Sequence, residues 1–193
     1  MESNNIEEYL SVTQKIAILL LSANLFEPIR GKLWYQKELF LVAENIPRLE
    51  EETDFEEDLL GPYSEIADDE FEQLRTEGIV DKRKLRLTPF GRRLAKSLES
   101  KAGKNLLQLI SEMKSFLNKL TRDELLGLIY FSYPKMRTES VEFERIEENR
   151  LPVAIRLYEK GKVSLGKASE VAGLSQEDFI EILREKGIPI FSK

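Results

Sequence analysis

The densest chemistry in this 193-residue chain is a run of cations. Lys82 to Lys96 holds seven basic side chains in fifteen residues and no acid. Guanidinium and ammonium groups at that spacing are what a phosphate backbone requires, so Lys82, Arg83, Lys84, Arg86, Arg92 and Arg93 are candidate DNA-binding residues. The chain as a whole works against such a contact, because its net charge is −6. Residues 1–100 carry 13 bases and 21 acids, residues 101–149 carry 8 of each, and residues 150–193 carry 8 bases and 6 acids. Glu50 to Asp58 alone contains seven acids in nine residues. That run attracts cations but lacks the spacing of a calcium loop, and a solvated surface accounts for it.

Histidine and cysteine are absent. The chain therefore has no disulfide, no thiolate nucleophile, no zinc–sulfur site and no Ser-His or Cys-His arrangement. Catalysis would need a carboxylate pair with a divalent cation, so a non-enzymatic role is expected, without cofactor or metal. Apolar residues make up 41%, enough for a core, and no apolar run approaches the roughly 18 residues of a membrane span. A cytoplasmic protein with no membrane partner is expected.

The elements that position these groups follow from periodicity. Ile6, Tyr9, Leu10, Thr13, Ile16, Leu20 and Ala23 place a helix over 5–24. A second runs from about Leu33 to Glu44 and stops before Pro47, and an acidic loop follows. Gly61-Pro62-Tyr63-Ser64 opens a third, which Gly78 ends. Ile79-Val80 and Lys84 to Thr88 read as a two-strand hairpin, and Thr88-Pro89 starts a fourth helix. That order is mainly α and predicts a winged helix-turn-helix domain over 1–100.

Leu106, Ile110, Met113, Leu117 and Leu120 alternate four- and three-residue steps, a heptad-type seam that suits either a core face or a homodimer contact. Thr121 to Glu124 is a capping box for a following helix. Residues 101–134 then form a helical hairpin or dimerisation segment, 135–150 a charged linker, and 151–193 a small helix-turn-helix module. Beyond Gly187, Ile188, Ile190 and Phe191 form an apolar tail, either packed on its own helices or docked on a protein partner.

Two stretches resemble known families. Ala154 to Ala168, Ser169-Glu170-Val171-Ala172-Gly173-Leu174-Ser175 and Gly187 to Ile190, with Gly161 and Gly166, resemble a family of small prokaryotic proteins regarded as antitoxins. Those are often encoded beside PIN-domain ribonuclease toxins. The resemblance implies a protein partner of that kind, with the apolar tail as a binding element. Gly61-Pro62-Tyr63-Ser64, Gly78-Ile79-Val80, Leu87-Thr88-Pro89-Phe90-Gly91 and Ser132-Tyr133-Pro134 look like archaeal winged-helix proteins with a Tyr-Gly-Pro-Tyr-Ser signature, although Leu60 replaces the first tyrosine. In a winged helix the third helix enters the major groove. Here it carries Glu65, Asp68, Asp69, Glu70, Glu72 and Glu77 against Arg75, and the second module's reading helix opens Gln176-Glu177-Asp178. Both would repel phosphate, so any DNA contact falls to the basic strip.

Overall fold

The computed structural model describes residues 6–190. Among them lie eleven α-helices and one 3-10 turn, and no strand longer than an isolated bridge. No helix among the described residues is long and apolar enough to cross a membrane. The chain forms two units. One holds the residues through Glu56 together with Pro62–Lys119; the other holds Glu57–Gly61 and the residues from Leu120 onward.

The first unit is built around α1 (Val12–Phe26). The helix expected over 5–24 is interrupted before it, because Ser11 accepts from the Gln14 amide while the Gln14 side chain accepts from the Ser11 amide. That capping box satisfies two amides that would otherwise be orphaned and starts a new helix. Ile16 to Leu21 are all buried, since α1 is covered on several sides by α3 (Pro47–Thr53), α4 (Glu65–Thr76), α5 (Pro89–Lys101) and α6 (Lys104–Leu117). The Ile16–Leu21 run is thus core on every face. Helix α2 (Lys32–Ala43) packs against α3 and α6.

The segment after Asn45 is only in part the acidic loop that its charge implies, since Pro47–Thr53 is helical while 54–58 stays irregular but for one bridge at Glu56. Pro47 ends α2's reach but also occupies the first position of α3, where its missing N–H costs nothing. Glu50 sits in that helix's first turn, near the positive end of its dipole.

The end of α1 is unusual. Asn24, Leu25 and Phe26 all take left-handed backbone angles, with φ of 56°, 57° and 62°. For residues with a Cβ this costs about 1–2 kcal/mol each. The turn is pinned from α6: Lys114 Nζ donates to the carbonyls of Leu20 and Ala23, at 2.7 and 3.0 Å. Asn24 Nδ2 donates to the Ser111 carbonyl, and Ser111 Oγ donates back to Asn24 Oδ1.

Between α4 and α5 the expected two-strand wing is reduced to one antiparallel bridge, Val80 with Leu87. The cause is Asp81. Its carboxylate accepts from the amides of Arg83 and Lys84 at 3.0 and 3.1 Å and holds Arg86 at 3.0 Å. A tight polar turn therefore takes the residues that would have lengthened the arms. The mainly-α expectation holds, while the strands of the wing do not form.

The second unit comprises α7 (Arg122–Ser132), the 3-10 turn Pro134–Arg137, α8 (Phe143–Glu148), α9 (Arg150–Glu159), α10 (Leu165–Ala172) and α11 (Gln176–Glu185). Helix α7 is its axis. Gly127 lets α9 approach closely, since a Cβ there would lie 2.8 Å from Val153. Two expectations change. Residues 135–150 are not a linker, for Ile146 is fully buried and Val141 donates its amide to the Leu59 carbonyl. The proposed 101–134 hairpin is divided, because α6 belongs to the first unit and α7 to the second.

Candidate functional site

The basic strip is assembled on the turn after Val80 and on the outer face of α5. Lys82, Arg83, Lys84, Arg86, Arg92, Arg93 and Lys96 are all exposed. Thr88 starts α5: its Oγ1 accepts from the Gly91 amide and donates to the Gly78 and Ile79 carbonyls. That brings Arg92 and Arg93 to the same unit surface as the turn. Leu94, Ala95 and Leu98 face the core and leave the cations outward.

Three of the cations are oriented by neighbours. Arg86 is held by Asp81, whose carboxyl lies below its usual range because of the Arg83 amide first and the Arg86 guanidinium second. Arg92 lies 4.6 Å over the Phe26 ring, and Arg93 lies 5.9 Å from the Phe90 ring centre. Lys84, Arg86 and Arg92 border a cleft of about 380 Å³ whose floor includes Phe26, Ile29 and Leu87. Asp81 and Phe26 were missed in the sequence. Asp81 at the head of a Lys-Arg-Lys turn was a usable signal, because aspartate commonly caps backbone amides two residues on. Phe26 lies far upstream, and nothing local marks it.

The acidic helix α4 keeps its character. Glu65, Ile66, Asp69, Glu72 and Gln73 are exposed, while Asp68 pairs with Lys32 at 2.7 Å and Glu70 accepts from Ser11. Among the described residues no cluster of three or more carboxylates could hold a metal ion.

In the second unit, α10 and α11 meet at Gly173, whose φ of +72° suits glycine. Its amide donates to Glu170, and the Leu174 amide donates to Ser169. Ser175 Oγ then accepts from the Asp178 amide and starts α11. Arg150 braces this corner: Nε and Nη2 donate to the Val171 and Glu170 carbonyls at 2.6 and 3.1 Å, and the guanidinium lies 4.1 Å over the Phe131 ring. Arg150 was also missed, since it precedes the apolar pattern it supports. Helix α11 buries Phe179 and Leu183 and exposes Glu177, Asp178, Glu181 and Glu185, with Arg184 and Lys186 at its end.

The remaining sequence-derived sites fall as follows. Ile110 and Leu117 are buried in the first unit, with Leu106 and Met113 packed against its core, and Leu120 is buried in the second. The heptad-type seam therefore packs on the chain's own core, the first of the two uses that its spacing allows. Spacing alone cannot separate the two uses, because a three–four stripe faces any apolar surface. Ile188 is half-buried and donates its amide to Leu183, closing the end of α11. No strand forms at Ile188–Ile190; Ile190 is exposed. Phe191 lies outside the described residues.

The comparisons with known proteins concern the second unit. A family model described as an uncharacterised protein family, UPF0175, matches residues 129–192. A UPF0175 protein from Aeropyrum pernix is 56% identical over 41 residues, which cover 21% of this chain and 46% of that protein. A UPF0175 protein from Archaeoglobus fulgidus is 46% identical over 59 residues, which cover 30% of this chain and 68% of that protein. The chain thus spans less than half the length of the first of these relatives. No solved structure matches.

Proposed function

The chain belongs to the UPF0175 family through its C-terminal part, and from that premise we propose that it is a non-catalytic interaction protein of antitoxin type. Its helix-turn-helix binds a protein partner, and its basic strip holds a nucleic-acid backbone. The observation that carries this reading is the outer surface of α11. A DNA-reading helix presents cations and amides to the groove. Here Glu177, Asp178, Glu181 and Glu185 are exposed instead. Such a surface favours a positively charged partner and raises its rate of encounter. A ribonuclease must itself attract phosphate and so offers that charge. The resemblance to antitoxins encoded beside PIN-domain ribonucleases supports the same class.

The test is co-purification of the tagged intact chain from its own cells. A nuclease is expected with the wild type and should be lost when Glu177 and Glu181 are both changed to lysine. Purification of the chain alone, or equal retention by the variant, defeats the reading.

A second reading, a transcription regulator acting through the strip, is favoured by its exposed, acid-free run of cations. Replacing Arg83, Lys84 and Arg86 with glutamate should then remove DNA binding, and each lost phosphate contact should lower the salt slope by about 0.9. Unchanged affinity in the triple variant rules it out.

A further inference from the structure

The costly turn at Asn24–Phe26 has a visible consequence. It leaves Leu25 97% exposed and swings Phe26 beneath Arg92 at the edge of the basic cleft. A helix ending normally after Ser22 would not place Phe26 there. Left-handed backbone at successive residues with side chains persists only where surroundings enforce it, and such strain gathers at binding sites. Here the enforcement comes from Lys114, Asn24 and Ser111.

The cleft combines two kinds of chemistry. Its rim carries Lys84, Arg86 and Arg92, while its interior is apolar, with Phe26, Ile29 and Leu87. A bare anion needs only the rim. A ligand that satisfies both has a flat apolar body joined to phosphate. We propose that this cleft receives an unpaired base of a nucleic-acid single strand, with the flanking phosphates on Lys84, Arg86 and Arg92. A guanidinium plane stacked on an aromatic ring is a surface on which unstacked bases lie, and it is tolerant of sequence. A duplex keeps its bases paired and stacked, so only an unpaired strand can place a base in the cleft. The proposal rests on the reading of the strip as a phosphate site and specifies its ligand.

The experiment uses the intact chain and fluorescence anisotropy, with a short labelled oligothymidylate and a mixed-sequence duplex of equal length. The strand should bind more tightly than the duplex. Phe26→Leu should weaken strand binding about tenfold, a typical value for one lost stacking contact, without changing the salt slope. Phe26→Trp should restore it. Lys84→Glu with Arg92→Glu should reduce the slope. An abasic strand with the same phosphates keeps the test decisive if Phe26→Leu does not fold, because it needs no variant; severalfold weaker binding than the oligothymidylate is expected. Wild-type affinity in Phe26→Leu, or equal binding of the abasic strand, with salt-dependent binding intact, overturns the base site and leaves the phosphate reading standing. Tighter binding of the duplex overturns it in the same way. Absence of binding to either probe at low salt overturns both.

Discussion

Glu38 and Glu124 are both fully buried carboxylates, one in each unit, and they behave in opposite ways. Glu38 on α2 has neither oxygen hydrogen-bonded, and burial pushes its carboxyl up to about 8, against a smaller pull from Lys114. Glu124 on α7 is also penalised by burial, yet its carboxyl lies below the usual range. Lys160 donates to it at 2.5 Å, the Thr121 amide donates at 2.9 Å, and together these outweigh burial. The comparison teaches that burial alone does not decide the charge state of a core carboxylate; the count of donors does. The first unit also holds Lys114 in its interior, pushed down to about 8 by burial. The second unit, which carries the family match, supplies partners for its buried glutamate.

The largest effect should come from removing Glu124. Glu124→Ala breaks the capping box of α7 and the contact with Lys160, and it should cost about 3 kcal/mol in chemical denaturation at neutral pH. Part of the pair is solvent-screened, since the Lys160 side chain is 43% exposed, so most of that loss is the cap and the unsatisfied Thr121 amide. A loss near zero would erase the contrast between the two glutamates.

The next effect has the opposite sign. Glu38 has a folded value above its ordinary 4.5, so its contribution to stability is fully present below that value and is lost as pH rises through about 8. Lys114 has a folded value below its ordinary 10.5, so its contribution returns as pH rises from about 8 towards 10.5. Glu124, with a lowered value, contributes above its ordinary 4.5 and is lost on acidification. The first unit should therefore be weakest near pH 8 and the second weakest in acid. Trp34 is the chain's only tryptophan and lies in the first unit, where its Nε1 donates to the Leu117 carbonyl, so its fluorescence follows that unit separately. Glu38→Gln should raise stability at pH 8 by about 1–2 kcal/mol and change little at pH 5. A variant that is destabilised at pH 8 would mean that the charged carboxylate is satisfied after all.

The smallest effects compare the two helix starts. Ser175→Ala removes one exposed cap of α11 and should lower stability by about 1 kcal/mol. Thr88→Ala removes the cap of α5 and also the bonds to the Gly78 and Ile79 carbonyls that tie it to the bridged turn. It should cost up to about 2 kcal/mol, and it should weaken nucleic-acid binding as well. Equal losses from the two substitutions, with no change in binding, would show that the turn is not held by Thr88.

Much of the local structure is legible in the sequence because its causes are local. Pro89 after Thr88, the Thr121–Glu124 box, Ser175 with Asp178, and Gly78, Gly161, Gly173 and Gly187 mark where helices start and stop, and the structure places those boundaries within a few residues. The exposure of the basic strip follows from its charge. The exposure of the acidic side chains of α4 and α11 follows in the same way.

What only the tertiary structure decided concerns contacts between distant residues. The stripe from Leu106 to Leu117 faces α1 and α2 of its own chain, a choice the sequence leaves open because an apolar stripe records that it is covered and not by what. The hairpin between Val80 and Leu87 shrinks to one bridge because Asp81 captures the amides of its own turn. Phe26 reaches Arg92 only because Lys114 and Ser111 hold a left-handed turn that the residues from Asn24 to Phe26 would not adopt on their own. The charge states of Glu38 and Glu124 diverge for the same reason. Each is a glutamate in a helix, and what separates them is the number of donors that folding brings within reach.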